Sequence, residues 1–302
     1  MSRKAPAYHP FGYRGGYLLR GTPIWLDARR PRPLCIVTTL QGGLPPRHQR
    51  AVASDALARL LRQAGHRGGV LPTPYHRWVG IGGERLMLLP GLDGMGASGV
   101  LVQRPTQRLL FVGRLTRFVC PWPAADVLVV AAPAWRHDAS MDAGALARVA
   151  DAVDGLVRRS GHVFLYAESY PAAAWMAEQL RGVGIPVRPT GVLGRMLRWP
   201  SGGGRCVATL GVWRGRRRRG SVLGLDAGIG VLPRDIPRVA MGFYATASEV
   251  AGVAAQTGCH TLCVGEAPTE ALPVLRVAGV RAAVRLVGAA RQLSLAEVAG
   301  EN

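Results

Sequence analysis

Seven histidines and five cysteines supply the side chains best suited to hold a metal or attack a substrate. The histidines are His9, His48, His66, His76, His137, His162 and His260. None forms H-x-H, H-x-x-x-H or H-E-x-x-H, the spacings that bring two imidazoles to one ion. The cysteines are Cys35, Cys120, Cys206, Cys259 and Cys263. Cys259, His260 and Cys263 form C-H-x-x-C, whereas covalent haem attachment needs C-x-x-C-H. Thr261–Val264 reads as a buried strand, so Cys263 is expected to serve as a small hydrophobe. An odd number of cysteines in a long chain argues against a disulfide framework and for a reducing, intracellular setting. No Ser-His-Asp or Cys-His arrangement follows from spacing. The glycine-rich pieces Gly80–Gly83 and Gly94–Gly99 lack the Lys-Ser/Thr that follows a phosphate cradle, and are expected to be turns.

Charge is the stronger chemical signal. The chain carries 38 basic and 18 acidic residues, a net charge of +20. Lys4 is the only lysine. A globular chain this basic has the electrostatic footprint of a polyanion binder. Arg195, Arg198, Arg205, Arg214, Arg216, Arg217, Arg218 and Arg219 follow one another with no acid between them. Guanidinium forks match phosphate oxygens, and Trp199 and Trp213 beside them could stack on unpaired bases. Arg29, Arg30 and Arg32 form a second cluster, with Arg47 and Arg50 expected near it. Phosphate contacts of this kind position a protein without reading base sequence.

The elements that would carry these residues alternate. Tyr17–Arg20 and Ile24–Asp27 flank Gly21-Thr22-Pro23 as a hairpin. Leu34–Thr38 is a short apolar strand. Ser54 has the chemistry of an N-cap for a helix to about Ala64, with Leu57, Leu60 and Leu61 on one face. Trp78–Ile81, Arg85–Leu89, Val100–Gln103, Leu109–Val112 and Val127–Ala131 read as strands. Helices are expected over Ala143–Arg159, Pro171–Val183, Thr246–Thr257 and Thr269–Ala278. Strands are expected over His162–Ala167, Ile185–Arg188, Thr261–Val264 and Val280–Leu286. This pattern predicts an α/β protein with sheets packed between helices.

The 302 residues are 48% hydrophobic and 19% charged, which excludes a chain disordered throughout. No apolar run reaches the roughly 18 residues of a membrane helix, so no membrane partner is expected. The N-terminus, Met1-Ser2-Arg3-Lys4 with Pro6 and Pro10, has no apolar core of a secretory signal.

Several pieces also occur in a familiar order. Ile24-Trp25-Leu26-Asp27 precedes Cys35-Ile36-Val37-Thr38-Thr39, then Leu88-Leu89-Pro90-Gly91 and Leu110-Phe111-Val112-Gly113. Val163-Phe164-Leu165-Tyr166-Ala167 and Gly184-Ile185-Pro186-Val187 follow, then a basic stretch from Gly211 to Arg219. Gly242-Phe243-Tyr244 and Gly265-Glu266 complete the series. This order resembles the metallo-β-lactamase-fold nucleases, in particular the exonucleases associated with bacterial DNA ligase and a helicase, and their β-CASP relatives. The resemblance implies a four-layer αβ/βα sandwich with a small inserted or truncated β-CASP-like region. Residues 1–135 would form the first half of the sandwich, 136–220 the insert with its basic loop, and 221–302 the return.

The metal ligands of that family are missing here. Two-metal hydrolysis needs converging imidazoles and carboxylates. The His/Asp-rich loop is replaced by Thr39-Leu40-Gln41-Gly42-Gly43-Leu44, and the Gly-His turn by Gly91-Leu92-Asp93-Gly94. The bridging Gly-Asp is Gly113-Arg114, which puts a cation where an anion should hold the ions. The Ser-Asp-His-Ala-Asp segment is Tyr244-Ala245-Thr246-Ala247-Ser248, and the final His-Gly turn is Gly265-Glu266. Only Asp27 matches. Asp27, Thr39, Leu92, Arg114 and Glu266 therefore mark degenerate metal positions, and neither a catalytic residue nor a metal is expected. The expected function is that of an inactive nuclease homologue, binding DNA or RNA or scaffolding an assembly, in DNA repair. A ligase, a helicase or an active nuclease would be its protein partner. The alternative is an active Zn- or Mn-dependent exonuclease with displaced ligands, for which His48, Asp93 and Glu266 could be regrouped.

Overall fold

The computed structural model describes residues 10–91, 93–114, 116, 121–131, 143–198, 208–212, 214, 220–226, 232–233, 235–240, 243, 245–265, 275 and 279–287. The chain begins with β1 (Phe11–Tyr13), β2 (Tyr17–Leu19), β3 (Ile24–Leu26), β4 (Leu34–Ile36) and β5 (Arg50–Ser54). Helix α1 (Asp55–Gln63) and β6 (Val70–Thr73) follow. The six strands lie side by side in chain order. β1, β2 and β3 run antiparallel, with Tyr17 opposite Leu26 in the expected hairpin, and β3 to β6 run parallel. Ser54 caps α1 as its sequence predicts: its side chain accepts from the Leu57 N–H, and Leu57, Ala58 and Leu61 are buried. Such a cap contributes about 1 kcal/mol.

The second sheet is built from β7 (Trp78–Ile81), β8 (Glu84–Pro90), β9 (Ser98–Gln103), β10 (Arg108–Arg114) and β11 (Val127–Ala131). β7 to β10 are antiparallel neighbours, and β10 and β11 are parallel. The glycines at 80–83 and 94–99 fall on turns and strand ends, as expected.

A third, wholly parallel sheet follows. Its elements are α2 (Ala143–Ser160), β12 (Val163–Ala167), α3 (Tyr170–Gly182), β13 (Val187–Pro189), α4 (Gly191–Leu197), β14 (Ala208–Val212), β15 (Ser221–Asp226) and β16 (Arg238–Ala240). The strand order is β13-β14-β12-β15-β16, so this sheet continues past residue 220. The chain then returns through α5 (Ala247–Thr257) to β17 (Thr261–Gly265) and β18 (Ala283–Val287), which join the second sheet beside β11. The helix expected over Thr269–Ala278 lies, apart from Leu275, outside the described residues.

Four apolar clusters hold the described elements, the smallest being Tyr166, Val222, Leu232 and Ile236 on the third sheet. Phe11, Leu19, Ile24 and Ile36 of the first sheet interleave with Leu86, Val100, Phe111 and Val127 of the second. The far face of the second sheet buries Leu110, Leu128, Leu262 and Val264 against Val250 and Val253 of α5. The far face of the first sheet buries Cys35, Val37, Ala51 and Ala53 with Leu57 and Leu61 of α1, and the same cluster extends into α3, α4 and the third sheet. The first two sheets are thus sandwiched between α1 and α5. Strands buried on both faces read as unbroken apolar runs, which is why Val127–Ala131 is legible as a strand. Fully burying a side chain such as Phe111 contributes about 1.5–3 kcal/mol.

Candidate functional site

The carboxyl ends of β3, β4 and β10 meet at one rim. β3 stops at Asp27, which adopts a left-handed backbone with φ of 48°. Its carboxylate turns back on the next strand: Oδ1 accepts from the Thr38 N–H at 2.7 Å and Oδ2 from the Thr38 hydroxyl at 2.5 Å. The expected strand Leu34–Thr38 ends early, at Ile36, and Thr38 has turned to meet Asp27. Gly113 of β10 faces this pair. Its φ is 61°, and a Cβ there would lie 3.1 Å from the Thr38 hydroxyl and 3.5 Å from Asp27 Oδ2. Only glycine fits that approach without strain. Arg114 then reaches across, and its Nη1 donates to the Gln41 carbonyl at 3.1 Å.

Asp93 closes the rim from the β8–β9 turn. It is 4% exposed. Its Oδ1 accepts from the N–H groups of Met95 and Ala97 at 2.9 and 3.1 Å, and Oδ2 accepts from the Thr39 hydroxyl at 3.1 Å. Burial pushes its carboxyl above the ordinary range, against the pull of these three bonds. Asp27, Thr39 and Arg114 line a common pocket of about 170 Å³. Three of the five positions that the resemblance marks are therefore brought together, while Leu92 and Glu266 lie outside the described residues.

The resemblance implies a pair of metal ions here, and the donors present do not fit them. Both Asp93 oxygens and both Asp27 oxygens are engaged by protein donors. Arg114 lines the same pocket and opposes a cation. Among the described residues no three of His, Cys, Asp and Glu gather as a metal site. His48 is buried in a loop of the first sheet, where Nδ1 accepts from the Arg32 N–H at 3.2 Å. Burial, then the charges of His66 and Arg32, lower its pKa. Cys263 sits fully buried in β17 as the strand pattern predicts, its thiol pushed up to about 12 by burial. Burial likewise raises Cys259, whose Sγ donates to the Ala254 carbonyl at 3.7 Å.

The arginines of the first sheet do converge. The Gln49 N–H donates to the Arg32 carbonyl at 2.9 Å, and the Arg50 N–H to the Pro33 carbonyl at 3.0 Å, so Arg47–Arg50 lies beside Arg29–Arg32 as expected. Arg32 Nη2 donates to the Arg14 carbonyl at 3.1 Å, and the Arg29 N–H to the Gly15 carbonyl at 2.7 Å, which adds the β1–β2 turn. The Arg32 guanidinium lies 3.6 Å above the Trp25 ring. Arg14, Arg29, Arg30, Arg47 and Arg50 are exposed. From Ala28 to Ser54 there is no Asp or Glu. Arginine is thus presented by three loops along one edge, with Trp25 and His48 as packing partners that spacing alone did not reveal.

The longer basic segment is described only in part. Arg205, Arg216, Arg217, Arg218, Arg219, Trp199 and Trp213 lie outside the described residues. Arg195 extends from α4, and its Nη2 donates to the Ala64 carbonyl at 3.3 Å, tying α4 to the end of α1. Arg198 ends α4 with a left-handed backbone, φ 47°. Arg214 donates to the Tyr170 hydroxyl. Arg195 and Arg214 thus each make a contact within the protein.

No family model matches this chain. No curated protein matches it either. Among solved structures it is similar to a protein of unknown function from Enterococcus faecalis V583. The TM-score is 0.52 and the identity 10%, over 76% of this chain and 74% of the other. A likeness at this identity bears on the fold alone. No described helix is long and apolar enough to cross a membrane.

Proposed function

We propose that this chain is a catalytically silent relative of the metallo-β-lactamase-fold nucleases, which binds nucleic acid through the arginine edge of its first sheet. The helix–sheet–sheet–helix order and a parallel sheet inserted between β11 and β17 support the finer reading of the fold. The carrying observation is the acid-free run from Ala28 to Ser54, whose two loops are folded so that they present arginine together with the β1–β2 turn. Exposed guanidinium groups on separate loops suit a phosphate backbone, which they grip without reading its bases. The rim supports the silent half of the proposal, because its carboxylates are engaged in hydrogen bonds and a cation stands among them. A partner subunit, such as an active nuclease, a ligase or a helicase, would supply the chemistry. An intracellular setting suits buried cysteine thiols such as Cys35 and Cys259.

Binding of a labelled single strand, measured by fluorescence anisotropy across a salt series, tests this reading. The logarithm of the association constant should fall linearly with the logarithm of salt concentration. Replacing Arg29, Arg30 and Arg47 together by glutamine should flatten that slope by about 2, at roughly 0.7 per phosphate contact. An unchanged slope would remove the arginine edge from the interface.

A further inference from the structure

Three polar atoms that lack a hydrogen-bond partner among the described residues belong to side chains around one small space. They are Gln41 Oε1, Ser98 Oγ and Trp122 Nε1, all sealed from solvent. Their residues line a cavity of about 20 Å³ beside the rim, together with Asp93, Arg114 and Thr116. The three come from separate parts of the chain: the loop after β4, the start of β9, and the approach to β11. Their convergence is fixed by packing. The Trp122 indole lies against Gly99, where a Cβ would come within 2.5 Å of the ring.

We propose that this cavity is the binding site of one internal water molecule. The volume suits it, because a single water needs about 10–15 Å³ of such space. The donor and acceptor types also suit it. Trp122 Nε1–H can only donate, the Gln41 oxygen can only accept, and the Ser98 hydroxyl does either. A water accepts from Trp122, donates to Gln41, and completes its bonding with Ser98. A metal cation fits poorly, because the neutral indole N–H can only donate and Arg114, which lines the cavity, is itself a cation. The Asp93 oxygens already hold Thr39, Met95 and Ala97. A halide fits poorly too, because the Gln41 oxygen would face it. The site thus joins the loop after β4 to β9 and the approach to β11 through one solvent molecule. It does not rest on the nucleic-acid reading, because none of the three unpartnered atoms belongs to an arginine of that edge.

The test is a water-edited NMR experiment on the full chain, supported by a crystal structure from bromide- and manganese-soaked crystals. The Trp122 indole proton, assigned by its loss in Trp122→Phe, should show a direct cross-peak to water with the sign of a long-lived complex. Ser98→Ala and Gln41→Leu should each weaken or abolish that cross-peak while the other six indole signals of the seven tryptophans keep their positions. The crystal should show one density peak within hydrogen-bond distance of all three atoms, without anomalous signal. A folded wild-type protein without the cross-peak, or bromide or manganese anomalous density at this position, would overturn the proposal. Direct pairing of the three side chains with one another would overturn it as well.

Discussion

Two polar regions lie within the same sandwich, and they treat their charges in opposite ways. At the rim, Asp27 and Asp93 turn their oxygens onto the Thr38, Thr39, Met95 and Ala97 donors, and Asp93 is closed off from solvent. At the arginine edge, Arg14, Arg29, Arg30, Arg47 and Arg50 are exposed, and Arg32 is drawn into packing on Trp25. Buried polar groups need partners inside the fold, so rim residues hold the structure together. Exposed charges contribute little to stability and remain available to a ligand. The difference separates residues whose loss should unfold the protein from residues whose loss should only release a partner.

The largest expected effect is at the rim. Asp93→Ala removes the acceptor of three donors, of which the Met95 N–H is buried and the Thr39 and Ala97 donors are part-buried, and should destabilise the protein by about 2–4 kcal/mol in chemical denaturation. Little loss of stability there would mean that the β8–β9 turn does not depend on its carboxylate. Gly113→Ala should cost about 1–2 kcal/mol, because alanine must adopt φ of 61° against Thr38 and Asp27. A smaller and subtler effect concerns pH. Burial holds the Asp93 carboxyl above its ordinary range. The folded protein therefore binds that proton more tightly than the unfolded chain does. The associated stability is present at acid pH and is lost as pH rises through the folded value. The stability gap between wild type and Asp93→Asn should narrow from about pH 4 towards neutrality. A gap that widens with pH would show that the hydrogen bonds outweigh burial. At the edge, the triple Arg29, Arg30 and Arg47 to glutamine variant should keep wild-type stability within about 0.5 kcal/mol, while its nucleic-acid salt slope flattens. Loss of folding in that variant would erase the contrast between the two regions.

Much of the scaffold is readable from local pattern. Val127–Ala131, Trp78–Ile81 and the Ser54 cap follow from apolar runs and capping chemistry, and the structure has them where expected. The elements that escaped are those decided by tertiary pairing. Arg50–Ser54 is small and mixed, and becomes a strand because β4 and β6 flank it. Val70–Thr73 contains Pro72, which is tolerated because β6 lies at the edge of its sheet. Gly191–Leu197 carries two glycines, and it is helical with Leu193 and Met196 buried in the core. At the candidate sites, the run of arginines without acids was visible as composition. The bonds joining Thr39 to Asp93 and Arg114 to Gln41 span 54 and 73 residues, and no local spacing predicts them.

The most direct test of the central claim follows binding and integrity of a single-stranded nucleic acid together, with the purified full chain, across salt concentrations and with or without added manganese or zinc. The account predicts strong binding that weakens linearly with the logarithm of salt, and a strand that stays intact under every condition. Binding insensitive to salt, or metal-dependent cleavage by the pure protein, would contradict it.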